Sequence, residues 1–227
     1  MPLVPPRRRT DRPGEERPGT RSQLLEAAGH VFAEKGFDRA TGKEICERAG
    51  TNQAAINYYF GGIEGLYTAV IAEAHQRLVP LETLSRAIAG KTDAGAKLQA
   101  IIEVAVDRLT GPSSASWVLR VMGREFVAPS FALDGLIEKQ GLAKARILKS
   151  IVAELMGLPE DHPAVARGCL CVLAPCVMLL IGDRRNLKRA FPNLGISRED
   201  ATDLARQMLR YALAGLSATA RDARNDG

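Results

Sequence analysis

The sequence has few of the residues that mark metal-binding, disulfide-bonded or β-rich proteins. Of its 227 residues only four are cysteine and three are histidine, and aromatic residues make up 5%. The histidines stand alone, and the cysteines lack the spacing of a zinc site. Apolar residues seldom alternate with polar ones, as they do in half-buried strands. We therefore expect no metal site and no disulfide framework. We interpret the four cysteines as reduced core thiols: Cys46, Cys169, Cys171 and Cys176.

Long apolar runs and catalytic motifs are also missing. The longest nearly uncharged stretch, residues 168–182, is shorter than the about 20 residues that a transmembrane helix needs, and it contains Pro175. The arginines at positions 7–9 are not followed by an apolar segment before Leu24, so no secretory signal is indicated. The sequence shows no glycine-rich phosphate loop and no Gly-x-Ser-x-Gly motif. We expect a cytoplasmic protein without a membrane partner, a cofactor or a catalytic site.

The residues that are present indicate a helical globular protein. Hydrophobic residues make up 46% and charged residues 25%, which is the average for soluble proteins. The apolar share is carried mainly by Ala, Leu, Val and Ile at helical spacing. The formal net charge of +5 permits a polyanionic partner without requiring one. We predict an all-α fold.

Composition and helix-breaking residues divide the chain. Residues 1–20 hold five of the twelve prolines together with several arginines, so we expect a flexible basic arm. We expect a three-helix head over 21–66, a larger helical body over 67–220 and a disordered tail over 221–227. Four helices are predicted near the N-terminus: 21–35, a short helix capped by Thr41, 53–60 and a helix that starts at Glu64. Five more are predicted over 94–109, 114–127, 131–156, 163–181 and 197–216. Residues 183–196 are predicted to form a loop.

The second and third helices form a helix-turn-helix pattern. Thr41 is placed to cap the second helix, with Glu44 completing a capping box, and Gly50 ends it before a tight turn. In such motifs the helix after the turn enters the major groove of DNA. The amide side chains of this helix can hydrogen-bond to adenine, and its methyl groups can contact the methyl group of thymine. Its tyrosine hydroxyls can hydrogen-bond to phosphates. Ile56 and Phe60 would hold it against the head. The predicted DNA contacts are Thr41, Lys43, Thr51, Asn52, Gln53, Ala54, Asn57, Tyr58 and Tyr59.

Residues 21–70 resemble the TetR family of bacterial transcription regulators. The matching residues are Leu24-Leu25-Glu26-Ala27-Ala28, Phe32, Gly36, Phe37, Ile45, Ala49-Gly50, Ile56, Tyr59-Phe60 and Glu64-Gly65-Leu66. The run from Ala55 to Gly62, with Met122-Gly123-Arg124-Glu125 and Pro129-Ser130, is similar to the CecR-like subgroup. The resemblance implies a homodimer whose heads bind half-sites of a pseudopalindromic operator, and a body that binds a small-molecule effector and forms the dimer interface.

The charge of the head departs from what this resemblance implies. The family commonly has a lysine just before the glutamate that starts the fourth helix, where its amine meets a phosphate, and this chain has Ile63. Residues 22–60 contain four basic and five acidic residues, a net charge of −1, whereas the first 21 residues contain six arginines and three acidic residues, a net charge of +3. We therefore expect the arm to supply the attraction to DNA, with Arg7 to Arg9 in a minor groove. The alternative is a solvated tail that touches nothing.

The larger apolar residues of the body indicate an effector pocket. The predicted lining is Trp117, Met122, Arg124, Phe126, Phe131, Cys169 and Leu173, with Met178 on the same helix as the last two. For each apolar residue taken singly, ordinary core packing is the alternative. Arg124 and Glu125 interrupt an apolar helix, and an unpaired buried charge is costly. These two residues either lie at the surface or pair and orient a polar ligand.

Two long helices near 163–182 and 197–217 are the predicted dimer interface. The second carries an apolar stripe of Ala201, Leu204, Met208, Tyr211, Ala212 and Leu216, and the first carries Val165, Val172, Leu173, Leu180 and Ile181. Packing within one chain is the alternative. The function predicted is a ligand-responsive repressor that a small-molecule inducer releases from DNA. The alternative function is a helical carrier or enzyme with a vestigial DNA-binding head, which Ile63 and the charge of the head would favour.

Overall fold

The computed structural model describes residues 19–111, 116–136 and 141–225, and these ranges are helical without any strand. The predicted arm, apart from its last two residues, and the last two residues of the predicted tail lie outside them. The helices are α1 (Thr20–Lys35), α2 (Gly42–Ala49), α3 (Gln53–Phe60), α4 (Ile63–Leu78), α5 (Leu81–Ile88), α6 (Ala94–Thr110), α7 (Trp117–Val127), α8 (Phe131–Leu136), α9 (Leu142–Met156), α10 (Pro163–Ile181), α11 (Arg184–Ala190) and α12 (Ala201–Asn225). The all-α prediction is confirmed.

Side-chain caps set the limits of the short helices α2 and α3. The Thr41 hydroxyl accepts a hydrogen bond from the Glu44 backbone N–H at 3.3 Å, as predicted. The Glu44 carboxylate pairs with Lys35 Nζ at 2.6 Å. Gly50 ends α2 with a φ of 65°, a left-handed conformation that glycine adopts without strain. The turn from α2 into α3 therefore has the local structure that the sequence indicates.

The first hydrophobic core joins α1–α3 to α4, α7 and α8. It contains Leu24, Phe32, Ile45, Ile56 and Leu66 of the first four helices, all at most 2% exposed. The core also contains Trp117 of α7, whose ring lies against Gly29 of α1. A Cβ atom added at Gly29 would stand 2.4 Å from the Trp117 ring. The predicted boundary between head and body after residue 66 falls inside the continuous helix α4.

The second hydrophobic core lies between α6, α9, α10 and α12. Leu98, Val152, Val165 and Leu216 are buried there, one from each helix. A Cβ atom added at Gly168 of α10 would stand 2.7 Å from the Leu216 side chain, so glycine permits the close approach of α10 and α12. No residue of α1–α4 belongs to this core.

Several helix predictions for the body were wrong. The predicted helix over 131–156 is two helices, α8 and α9, and the predicted helix over 197–216 begins at Ala201 and continues to Asn225. Helix α5 follows Pro80 and is absent from the predicted helices. Helix α11 occupies part of the predicted loop over 183–196, and the Asp183 carboxylate caps it by accepting from the N–H groups of Arg185 and Asn186. The segment Arg184–Ala190 is mainly basic, so it has no apolar stripe to reveal it.

The apolar helix α10 has the bounds that the sequence predicts, and much of it is exposed. It has 19 residues, and among the described residues it alone is long and apolar enough to cross a membrane. Only 22% of its apolar window is buried within the chain, and Leu170 is 68% exposed. A core helix of a soluble protein meets the same length and composition test, so this finding alone assigns no membrane.

Candidate nucleic-acid interface

Helix α3 turns one polar face outward. Gln53, Ala54, Asn57 and Tyr58 are exposed, with Tyr58 at 72%. They are spaced so that a helix of 3.6 residues per turn places them on one side. Ile56 on the other side is 2% exposed and packs in the first core. The arrangement presents two amides, a methyl group and a phenol on a helix that the core holds in place.

The other polar residues at α3 have local roles. The Asn52 carboxamide oxygen accepts a hydrogen bond from the Ala55 N–H at 3.2 Å and so caps α3. The oxygen keeps a second lone pair and the amine stays free of this cap, so the contact of Asn52 with DNA stays a prediction. Tyr59 and Thr51 are partly buried, and the ring of Tyr59 lies edge-on to Tyr58 at 4.9 Å between centroids.

Thr41 and Lys43 lie at the N-terminal end of α2. Both are exposed, and the Lys43 side chain retains 83% of its accessible surface, with its amine 4.0 Å from the Glu47 carboxylate. An exposed pair of this length contributes little, so the Lys43 amine remains available to a phosphate. The Thr41 hydroxyl accepts from Glu44 and can still donate its own hydrogen.

Other cations of the head pair with its own carboxylates. Arg48 donates two hydrogen bonds to the Glu34 carboxylate, at 3.0 and 3.1 Å, and Lys35 pairs with Glu44. These bonds join α2 to α1. Hydrogen bonds from Arg48, together with its charge, lower the pKa of Glu34. Basic and acidic side chains of the head therefore pair with each other, and the net charge of the head is close to zero.

Ile63 is the first residue of α4 and packs against the first core, partly buried. An apolar side chain in this place offers no amine to a phosphate. At this position the surface therefore lacks the phosphate-binding amine that the resemblance implies.

The predicted effector-pocket residues do not line one cavity. Trp117 and Met122 are buried in the first core, Cys169 packs at the edge of the second core, and Leu173 is 45% exposed. Phe126 and Phe131 are 50% and 52% exposed, although the Phe131 ring lies 5.4 Å from that of Phe37. The apolar residues were grouped by position in the sequence, whereas the fold divides them between the two cores and the surface. Their role toward a ligand stays a prediction.

Arg124 and Glu125 do not pair with each other. Arg124 is exposed and its guanidinium lies 3.5 Å from the Glu34 carbonyl near the end of α1. Glu125 is 1% exposed, and its carboxylate accepts hydrogen bonds from the Tyr67 hydroxyl at 2.5 Å and from the Ser130 N–H and hydroxyl at 3.1 and 2.9 Å. Burial and the neighbouring carboxylate raise the pKa of Tyr67. The sequence places Glu125 at the surface or against a ligand, whereas the fold provides it with three donors.

A second polar group, which the sequence did not reveal, lies between α1, α4 and α7. The Glu26 carboxylate accepts from Trp117 Nε1–H at 2.6 Å and from Arg77 at 2.9 Å. The Arg77 guanidinium stands 5.3 Å from the centre of the Trp117 ring. Burial acts to raise the pKa of Glu26, but hydrogen bonds from Trp117 and Arg77 lower it on balance. No local pattern links residues 51 and 91 positions apart, so only the fold shows the group.

The cysteines and the apolar stripe of α12 differ from expectation. Cys46 is buried, and burial raises the pKa of Cys176 to about 11, but Cys171 is exposed, so it is not a core thiol. On α12, Leu216 is buried within the chain, Leu204 and Met208 pack beside it, and Tyr211 is 78% exposed. Part of the predicted dimer stripe therefore packs against the second core, and its role between two copies of the chain stays a prediction.

The capped helix-turn-helix on an all-helical body defines a class of DNA-binding transcription regulators. Residues 24–70 match the family model described as bacterial regulatory proteins, tetR family. Residues 94–218 match the C-terminal domain of the HTH-type transcriptional dual regulator CecR. The chain belongs to the TetR family and has a CecR-type C-terminal domain, as the resemblance indicated.

Individual relatives agree with this assignment. The chain is 34% identical over 109 residues to the HTH-type transcriptional regulator BetI 2 of Chromohalobacter salexigens, a match that covers 44% of this chain and 50% of that protein. It is 25% identical over 201 residues to BetI of Cronobacter sakazakii, covering 87% and 93%. For BetI 2 and similar relatives, the chain spans about half the length of the relative. The FadR regulator of Bacillus subtilis, solved in complex with stearoyl-CoA, has the same fold, with a TM-score of 0.64, 19% identity and coverage of 86% and 98%.

Proposed function

We propose that this chain is a homodimeric, ligand-responsive transcriptional repressor that recognises a pseudopalindromic operator and that a small-molecule inducer releases from DNA. The observation that carries the proposal is the exposed face of α3, where Gln53, Asn57 and Tyr58 point away from a core that fixes Ile56. Amide side chains on a fixed helix can read base edges with little help from charge. The proposal also places the protein in the cytoplasm, where such regulators meet DNA.

The test is binding to the DNA upstream of the protein's own gene. We expect sequence-specific binding in a gel-shift titration, and we expect Asn57→Ala to weaken it at least about fivefold, since a good base contact contributes about 1–3 kcal/mol of discrimination. Thr202→Ala, an exposed change on α12, is the matched control and should leave affinity unchanged. Binding that is equally strong to unrelated DNA, or an Asn57→Ala variant that binds normally, would contradict the proposal.

The dimer interface that we propose is the outer face of α10 with the adjoining face of α12. A groove of about 340 Å³ runs between these helices, lined by Cys171, Pro175, Tyr211 and Gly215 among others. Leu170 and Leu173 are exposed beside it. A second copy packed on this face would form a four-helix interface and cover apolar surface that a monomer leaves in water. Leu170→Glu should convert a dimer to a monomer in light scattering, whereas Leu81→Glu, an equally apolar exposed site on α5, should not.

A second function, a helical carrier or enzyme with a vestigial head, is favoured by two observations. Ile63 offers no phosphate contact, and Arg48 and Lys35 are paired with carboxylates of the head. Absence of specific binding to the upstream DNA at low salt would support this second function over the first.

A further inference from the structure

A cavity of about 460 Å³ lies where the head meets the body. Glu26 and His30 of α1 line one side, and Arg77 of α4, Arg108 of α6 and the first residues of α7 line the others. Its volume lies within the range of about 300–1,000 Å³ that is typical of small-molecule sites. The residues that line it come from α1 of the head and from α4, α6 and α7, so an occupant would touch the head and the body together.

The charged groups at this cavity are mainly basic. Arg77, Arg108 and His30 face Glu26, the one carboxylate among the described residues that line it. Arg77 is shared between Glu26, at 2.9 Å, and Glu73, at 2.7 Å. A guanidinium binds a carboxylate by directed hydrogen bonds, so this lining suits an anionic group.

Glu26 already shows how a carboxylate is held at this place. One of its oxygens accepts from the indole N–H of Trp117 and the other from Arg77. The Glu26 side chain is 47% exposed, so the pair is open to solvent and can be exchanged. A carboxylate that entered the cavity would meet Arg77 in competition with Glu26.

The rest of the lining is apolar apart from Ser116. Leu78 and Pro80 at the end of α4, and Val118 and Leu119 in the first turn of α7, complete the wall. An occupant therefore needs a charged head and a short apolar body. A neutral molecule of the same shape would leave the two guanidinium groups without a new partner.

We propose that this cavity binds a small apolar monocarboxylic acid, whose carboxylate takes Arg77 from Glu26 and contacts Arg108. The proposal rests on the proposed function for its biological meaning, because it assigns the chemical class and the site of the effector. Exchange at Arg77 removes the hydrogen bond between Arg77 of α4 and Glu26 of α1 and changes the surroundings of the bond between Glu26 and Trp117. The effector thereby removes one polar link at the junction of head and body, while the first core still holds α1 against α7.

The single tryptophan of the chain makes the test direct. Trp117 is that tryptophan, and its Nε1–H is the donor to Glu26. Its indole resonance in a ¹H–¹⁵N spectrum is therefore a single signal that reports changes at this hydrogen bond and at the cavity wall beside it. The probes are phenylacetate and hexanoate, with phenylacetamide and hexanamide as neutral counterparts. We expect a saturable shift with both acids and none with either amide.

Substitutions separate the site from general ion binding. Arg108→Met should weaken phenylacetate at least tenfold. Glu26→Gln should strengthen it several-fold, because Arg77 loses a competing anion. Arg206→Met, which removes an exposed guanidinium paired with Asp203 on α12, is the matched control and should change nothing.

Equal shifts with acids and amides, no shift with either acid, or an equal effect of Arg206→Met would overturn the proposal. The measurement needs no DNA, so it stands or fails independently of operator binding. Should operator binding occur, phenylacetate should lower it in the wild type and not in Arg108→Met. An operator complex that is insensitive to bound phenylacetate would overturn the exchange at Glu26 while leaving the repressor function intact.

Discussion

The hydroxyl of Tyr67 in α4 donates a hydrogen bond of 2.5 Å to the buried carboxylate of Glu125 in α7. The other carboxylate oxygen accepts from the backbone and side chain of Ser130, just before α8. One carboxylate therefore holds three helices of the first core together. Every buried side-chain nitrogen or oxygen atom among the described residues has a hydrogen-bond partner, and this includes the carboxylate oxygens of Glu125.

Replacing Tyr67 with Phe should destabilise the protein. The change removes the donor and leaves a buried carboxylate oxygen unpaired, which costs about 1–3 kcal/mol. Urea denaturation followed by circular dichroism measures this loss. Tyr211→Phe removes a hydroxyl from a residue that is 78% exposed and should have almost no effect. A Tyr67→Phe variant as stable as wild type would mean that the Glu125 bond contributes nothing.

Gly29→Ala should also destabilise the protein, although alanine favours helices over glycine by about 1 kcal/mol. The reason is the Trp117 ring, 2.4 Å from the position of the new Cβ. Overpacking of this kind typically costs about 1–3 kcal/mol. Gly135→Ala is the control, because its Cβ would meet open space within 4 Å. The denaturation midpoint should fall for the first variant and stay or rise for the second.

The stability of the protein should depend on Lys144 between neutral and alkaline pH. Burial lowers the pKa of this lysine to about 8, and its amine donates to the His75 carbonyl at 3.2 Å. Since the unfolded lysine titrates near 10.5, the unfolded state binds more protons between these values, so stability rises as pH increases through 8. After discounting for partial exposure, the rise attributable to Lys144 from pH 7 to 9.5 is about 1 kcal/mol. Lys144→Met should lack that rise, and parallel curves for the two proteins would contradict it.

Deletion of residues 1–20 should weaken operator binding and flatten its dependence on salt. The arm carries most of the basic excess of the N-terminal region, and each phosphate that a protein neutralises steepens the slope of log K against log salt by about 0.9. Gel-shift titrations at several salt concentrations measure the slope. A truncated chain with an unchanged slope would show that the arm does not contact DNA.

Features set by neighbouring residues could be predicted from the sequence. Thr41, Gly50 and the apolar spacing through Ile56 determine α2 and α3, and local hydrogen bonds and burial enforce them. Helix α11 was missed because a charged capped helix has no apolar periodicity.

The polar groups at the junction required the fold. Glu26 and Trp117 lie 91 positions apart, and the packing of α7 on Gly29 brings them together. The sequence indicated that Glu125 needed a partner without showing that Tyr67 and Ser130 would provide it. The same limit explains the dispersed effector residues, which the fold divides between the two cores and the surface.

The internal pairing of Arg48 with Glu34 and of Lys35 with Glu44 has a consequence for competition among DNA sites. A genome offers about 10⁶–10⁹ non-specific sites, and attraction to them comes almost entirely from cations that meet phosphates. A head in which two of the four cations between residues 22 and 60 are paired with its own carboxylates gains little from such sites. The fraction of protein held on unrelated DNA would then be governed by the basic arm, while the choice of operator depends on the side chains of α3.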